Sequence, residues 1–359
     1  MKANSASARL LDLLEIDRPI IQAPMAGIST PEMAAAVSNA GGLGSIGVGA
    51  MTPSAAEAAI GAFRARSERS LNVNVFCHRP AAANHTVETA WLERLRPEFE
   101  NVGASPPAAL TETYQSFRAN ETMFSVILEA KPRVVSFHFG IPRREWIRAL
   151  RDAGIVLLGT ATCLREAQAL VAGGVHAVVA QGYEAGGHRG IFDPKTGDDC
   201  LGTFALARLL AEAIDVPVVA AGGIMDGRGI AAALRLGAGA VQLGTAFLAT
   251  DESTADAAYR AALFSDAAHH TVMTTVISGR PGRCLVNRFT AFGAGMDPDD
   301  VPSYPIAYDA GKALNAAASA IGEPGYGAQW AGQGAALTRS MPAGRLVEAL
   351  GDELDQLSS

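Results

Sequence analysis

The sequence predicts an α/β chain, a (β/α)8 TIM barrel with a smaller appended α+β lobe. Three observations lead there. Eight short apolar runs rich in β-branched residues precede residue 250, at 19–24, 42–49, 71–76, 133–140, 154–161, 176–182, 216–223 and 239–247. Ala-rich helical stretches alternate with them, among them PEMAAAVSNAG, PSAAEAAIGAFRARS, CLREAQALVAGG and GRGIAAALRLG. Such alternation specifies a parallel sheet with crossover helices, and eight repeats is the arithmetic of a closed barrel. The alternative, a doubly wound open sheet, is weakened because no GxGxxG follows the first run.

Taken in order, the elements divide the chain into a barrel over 1–250, a lobe over 251–320 and a C-terminal segment over 321–359. Residues 77–130 are too long for one connection; with the turn Ser105-Pro106-Pro107 they form an excursion from the barrel. After 250 the alternation stops. A helix in ADAAYRAALFSD comes first, then a strand pair in TVMTTVISGRPGRCLVN turning at Gly-Arg-Pro-Gly, then a helix around 304–318. The closing stretch MPAGRLVEALGDELDQL is amphipathic and is expected to return to the barrel.

Composition excludes several classes. The chain has 359 residues, 49% hydrophobic and only 18% charged, so it can bury a large core and is not disordered. The net charge is −7 and no basic cluster is interleaved with aromatics, which argues against a nucleic-acid partner. No apolar run reaches membrane-spanning length, and the N-terminus lacks a signal-peptide pattern, so the cytoplasm is the expected location. Cys77, Cys163, Cys200 and Cys284 are scattered without CxxC, and His and carboxylates do not cluster, so no metal site is expected. The lysines are Lys2, Lys131, Lys195 and Lys312; none lies in a strand run, which argues against a Schiff-base aldolase. A thiol-dependent dehydrogenase would want a cysteine in the loop after the sixth run, and that loop has none. Cys163 opens the helix after the fifth run and reads as ordinary burial.

Barrel sites lie at the C-terminal ends of the strands, with phosphates commonly held after strands seven and eight. Here those ends are Ala221-Gly222-Gly223-Ile224 and Gln242-Leu243-Gly244-Thr245. They read either as a phosphate cradle, with a following helix N-terminus adding its dipole, or as tight turns that need glycine in any case. Gln22 to Met25, Asn72 or Asn74, and Gln181 could hold the ring of a phosphorylated cofactor, since an amide both donates and accepts. Asn72 and Asn74 could equally bond locally.

The most informative segment is Gln181-Gly182-Tyr183-Glu184-Ala185-Gly186-Gly187-His188-Arg189-Gly190. Its glycines let a loop lie flat against a ligand, with His188 projecting over the site as a base, or as a cation holding an anion. The other histidines carry less. His138 and His176 belong to strand runs as core or edge residues, His78 and His85 open the excursion, and His269-His270 reads as a solvated helix end. Farther on, Ser303 can cap a helix with Pro305 in its first turn. Tyr304, Tyr308 and Lys312 then share one face, either as a pocket wall or as a stripe packed under the lobe.

Five segments together resemble the class I nitronate monooxygenases: PIIQAPMAGISTPEMAAAVSNAGGLGSIG, LNVNVFCHRP, QGYEAGGHRG, AAGGIMDGRGIAAALRLGAGAVQLGTAF and YPIAYDAGKALN. The resemblance implies FMN held by Met25, Asn74, Gln181, Gly186, Gly222, Gly223, Gln242, Leu243, Gly244 and Thr245. It implies His188 as the catalytic histidine and a substrate pocket framed by Tyr114, Tyr304, Tyr308 and Lys312. Val75 is a mild departure from the pattern. The implied activity is oxidation of alkyl nitronates by O2, with propionate 3-nitronate as the expected toxin. The products would be malonic semialdehyde and nitrite or nitrate, a detoxification. No strand-end lysine could steady a reduced ring, so His188 and backbone dipoles would contribute. An NAD(P)H-dependent quinone or enoyl reductase of the same superfamily is the alternative.

Overall fold

The computed structural model describes residues 5–357; residues 1–4, with Lys2, and 358–359 lie outside the described residues. Each of the eight predicted runs contains one barrel strand. These are β1 (Ile20–Gln22), β2 (Gly44–Gly47), β3 (Leu71–Phe76), β4 (Val134–His138), β5 (Val156–Ala161) and β6 (Ala177–Gln181). After a short β7 (Gly187–His188) come β8 (Val218–Ala221) and β9 (Ala240–Leu243). The barrel strands pair in parallel in the order β1-β9-β8-β6-β5-β4-β3-β2. The ring closes through the Ile21–Leu43 bridge, where Gln22 N donates to Leu43 O at 3.0 Å.

Helices α1 (Ser5–Leu14), α2 (Pro31–Asn39), α3 (Pro53–Arg64), α4 (His85–Asn101) and α5 (Glu121–Ala130) occupy the first half. The barrel continues with α6 (Arg144–Asp152), α7 (Leu164–Gly173), α8 (Thr203–Ala213) and α9 (Gly227–Arg235). Local chemistry sets their starts. Thr30 and Thr52 accept from the third amide of α2 and α3, and a proline follows each, where a missing N–H costs nothing.

Strand alternation sorts the core into two layers. Val73, Val75, Val135, Phe137, Leu157, Val178 and Val241 face outward and pack beneath the helices. Ile21, Val134, Val156, Leu158, Val179, Val219 and Ala240 fill the barrel interior, with Leu10 and Leu14 of α1 in the same cluster. Farther along the same inward faces the side chains turn polar: Asn74, Ser136, His138, Thr160, Gln181 and Gln242 line a cavity at the strand ends.

The excursion splits. Met123 and Ile127 of α5 join the barrel layer, whereas Trp91, Leu92, Leu95 and Phe99 of α4 join a separate core with Val276, Phe289, Leu314 and Tyr326. Tyr259 and Leu263 of α10 (Ala257–Leu263) pack in another cluster with Leu248 and Ala268, and β10 (Thr271–Thr274) pairs with β11 (Gly282–Leu285), whereas the second core takes in Cys284 of β11, α11 (Arg288–Phe292), α12 (Ile306–Ala320) and their connections. The last helix, α13 (Ala343–Gln356), packs against α2 and α9.

Three local expectations need correction. β10 and β11 do pair, but their connection is 275–281 and Gly282 is already in the strand, so Gly-Arg-Pro-Gly is not the whole turn. The helix near 304 begins at Ile306 with Pro305 as its cap, and no side chain caps it; Ser303 contributes only its carbonyl, to Ile306 N at 2.8 Å. Tyr304 therefore precedes α12 and is not on its face. Finally, Gly187-His188 is no free loop. It is β7, the third strand of an antiparallel sheet in which His188 pairs with Gly282 and Gly187 with Arg283.

Candidate active site

At the C-terminal mouth of the barrel lies a cavity of about 490 Å³. The residues that the family resemblance assigns to a flavin, its substrate and catalysis all line it: Met25, Asn74, Gln181, Gly186, Gly222, Gly223, Gln242, Leu243, Gly244, Thr245, His188, Tyr114, Tyr304, Tyr308 and Lys312. Gln22 and Asn72 do not. Gln22 accepts from Ser45 N at 2.9 Å and donates to Ser29 Oγ at 2.8 Å, which ties β1 to β2. Asn72 donates to Ser45 Oγ inside the barrel. Asn74, one inward position higher, donates to Ser136 Oγ at 2.9 Å and lines the cavity.

His188 is held from several sides. Its carbonyl accepts from Gln181 Nε2 at 3.0 Å and lies 3.2 Å from His138 Nε2. Gln181 Oε1 accepts in turn from Gly190 N at 2.7 Å, so that amide braces the loop around His188. The next residue, Arg189, is fully buried and forms a fork on Asp198 at 2.7 and 2.9 Å. Its Nη1 donates to Gln181 O and Gly182 O, locking the end of β6 to the loop. The His188 ring sits among Phe139, Tyr304, Tyr308 and Trp330, with Nε2 2.8 Å from Ser278 Oγ. A hydroxyl donates or accepts, so Ser278 supports either neutral tautomer. Among the described residues Nδ1 has no hydrogen-bond partner.

Electrostatics favour one of the two sequence readings of His188. Burial, reinforced by His138, Arg280 and His78, lowers its pKa from 6.5 to about 3, so the ring is a neutral base or donor and not a standing cation. Burial likewise lowers His78 and His138 to about 4. These three rings refuse protons that the unfolded chain accepts. Stability from this source is complete above about 6.5 and is lost as pH falls toward about 4. Each histidine steepens that loss by ~1.4 kcal/mol per pH unit within the window. Thermal melts are expected to show Tm dropping over that range, and His138→Gln should flatten the slope. An unchanged slope in that variant would mean that His138 titrates normally.

The glycine-rich ends divide unequally. The start of α9 is already served by carboxylates: Asp226 Oδ1 accepts from Gly229 N and Glu353 Oε2 from Gly227 N, both at 2.8 Å. The expected helix-dipole contribution there is thus taken up within the chain. The amides of Gly223 and Thr245 have no acceptor among the described residues, and Gly222 and Gly223 hold φ of 121° and 69°. Backbone in that conformation directs successive N–H groups at one anion. The Tyr304 hydroxyl is buried without a partner, and Tyr304 lines the same cavity. An anion-binding end, amide-bearing strands and an orphaned phenol suit a phosphorylated, ring-bearing cofactor with a small substrate beside it.

Part of the lining is aromatic and cationic. Lys312 Nζ lies 4.3 Å from the Tyr114 ring centroid and 5.1 Å from that of Tyr308. Burial lowers the Lys312 pKa and Asp309 opposes the shift. Sequence reasoning missed His138, Ser278 and Trp330. His138 had one available signal, its place in the inward register of β4; Trp330 reaches the cavity and Ser278 the His188 ring from irregular chain, and both gave none. His78 is also buried here, edge-on to Tyr304 at 4.9 Å. Among the described residues no group of three or more His, Cys, Asp or Glu could hold a metal, and no helix is long and apolar enough to cross a membrane.

Known proteins agree with this architecture. The nitronate monooxygenase family profile matches residues 7–353. A nitronate monooxygenase of Paraburkholderia phytofirmans is 59% identical, covering 99% of this chain and 97% of its own. One from Pseudomonas aeruginosa is 54% identical, covering 96% and 99%. The structure of a nitroalkane oxidase from Streptomyces ansochromogenes superposes with a TM-score of 0.88 at 41% identity, covering 99% of both chains. FabK from Thermotoga maritima gives 0.75 at 30% identity over 98% and 96%. The chain therefore belongs to the nitronate monooxygenase family of oxidoreductases.

Proposed function

We propose that this enzyme binds FMN and uses O2 to oxidise alkyl nitronates, propionate 3-nitronate foremost, to malonic semialdehyde with release of nitrite or nitrate, a detoxification. The observation that carries this is one cavity whose lining combines free backbone amides at Gly223 and Thr245 with His188, Tyr304, Tyr308 and Lys312. FMN bound there would supply the redox chemistry, taking electrons from the nitronate and delivering them to O2. The phosphate would meet the amides of Gly223 and Thr245, and the ring would lie against Met25, Asn74, Gln181 and Gln242. His188 Nδ1, which has no partner among the described residues, would meet the nitro group's end of the substrate. As a donor it holds a nitronate oxygen; as an acceptor it would take the Cα proton of a neutral nitroalkane. The Tyr304 hydroxyl supplies a second donor, and Trp330 and Phe139 exclude water around the imidazole.

The test is oxygen uptake by the purified, flavin-loaded protein. Uptake is expected with propionate 3-nitronate and not with NADH. Uptake or flavin reduction driven by NADH alone would favour an NAD(P)H-dependent quinone or enoyl reductase. Lys312 gives the substrate assignment its own check, because propionate 3-nitronate carries a second anion and ethyl nitronate does not. Lys312→Met should raise KM for the former on the order of tenfold to a hundredfold more than for the latter, the scale of one hydrogen bond to a charged group. Equal changes on both substrates would show that Lys312 does not read the carboxylate.

A further inference from the structure

We propose that Asp309 is a positioning residue that latches the irregular segment around Thr111 onto α12 and thereby holds Tyr114 across the substrate side of the cavity. This deepens the proposed function and rests on Tyr114 and Lys312 facing substrate. Residues 104–116 contain neither helix nor strand, so their place must come from tertiary bonds. Asp309 Oδ2 accepts from Thr111 N and from Thr111 Oγ1, both at 2.8 Å. Two charge-assisted bonds on one carboxylate oxygen fix a residue in both position and orientation. Thr113 Oγ1 adds a bond to Pro305 O at 3.3 Å. All three hold the segment to the start of α12.

Tyr114 follows directly. It is buried, its ring lies 5.8 Å from Tyr308 and 6.5 Å from Tyr304, and the Lys312 ammonium sits over its face. Tyr114, with Ala50 and Met51, lines both the main cavity and a second one of about 250 Å³, so it stands at the boundary between them. Asp309 and Thr111 line neither cavity. Asp309 comes right after Tyr308 and three residues before Lys312, so one stretch of α12 supplies both the pocket wall and the anchor for the facing wall. An acidic residue in a first helical turn also favours the helix dipole, and that ordinary role would be indifferent to Thr111.

Three variants of the full-length, flavin-loaded protein separate these roles. Asp309→Ala removes both bonds, Thr111→Val removes one and keeps the charge, and Asp309→Asn removes the charge but keeps an accepting oxygen. Cleavage after Glu112 by a glutamate-specific protease reads the latch without using activity. Asp309→Ala should be cut on the order of tenfold faster than wild type, and Thr111→Val and Asp309→Asn by smaller factors, since each keeps part of the bonding. KM for propionate 3-nitronate should rise in the same order while kcat changes less. Three results overturn the proposal: wild-type cleavage in Asp309→Ala, faster cleavage with unchanged KM, or Asp309→Asn as impaired as Asp309→Ala. If the wild-type protein oxidises no nitronate, the proposed function falls, and the cleavage rates still decide whether the latch exists.

Discussion

His188→Asn is expected to lower turnover of propionate 3-nitronate on the order of 10²-fold, the scale of a positioned acid–base group, while the protein keeps its flavin. The reason for expecting so clean a loss lies in how His188 is held. Gln181 Nε2 and His138 Nε2 both reach its carbonyl, and β7 pairs with β11 through backbone. None of these bonds involves the imidazole. The substitution removes the bond from Nε2 to Ser278 and the ring packing on Tyr304 and Trp330, and it leaves the strand and the glycine ends in place. Stopped-flow reduction and steady-state oxygen uptake would measure the loss, with flavin absorbance as the control. Turnover at the wild-type rate would reduce His188 to a structural residue.

Gly223→Val is expected to strip most of the flavin from a chain that still folds. At φ of 69° a branched side chain is strained, and left-handed backbone costs an L-residue ~1–2 kcal/mol. A Cβ there would also come within 3.2 Å of Glu184 Cβ. Glu184 has no room to yield freely, because its carboxylate accepts from Thr203 N and Oγ1 at the start of α8. The backbone must therefore shift where its amide is proposed to meet phosphate. Gly154→Val is the control: its φ is 81°, nothing lies within 4 Å of its Cβ position, and it does not line the cavity. Flavin per chain should fall far below one in the first variant and stay near one in the second. Equal occupancy in both would place the phosphate elsewhere.

What the sequence determined by itself was the barrel and the position of its mouth. Strand alternation has a period of two, and in a closed barrel that period separates an outward apolar set from an inward set. Every predicted run held a strand for this reason, and the inward register alone leads from Val134 through Ser136 to His138. The glycine pair after β8 was legible because few residues other than glycine tolerate φ of 121° and 69°. Recognition of the family motifs then pointed to Tyr114 and Lys312, which no local pattern connects. Tertiary structure decided the rest. The sequence made His188 a loop residue, and β11, nearly a hundred residues later, makes it a strand. It left His188 open to either charge state, and only burial beside His138 and Arg280 fixes it neutral. It placed Tyr304 on a helix, and the chain instead turns there before α12 begins. Ser278, Trp330 and Thr111, which donates to Asp309 of α12, lie in irregular segments, whose residues carry no periodicity. Local preference sets a helix or a strand within a few neighbours, but burial, protonation and contacts between distant loops depend on which surfaces the fold brings together.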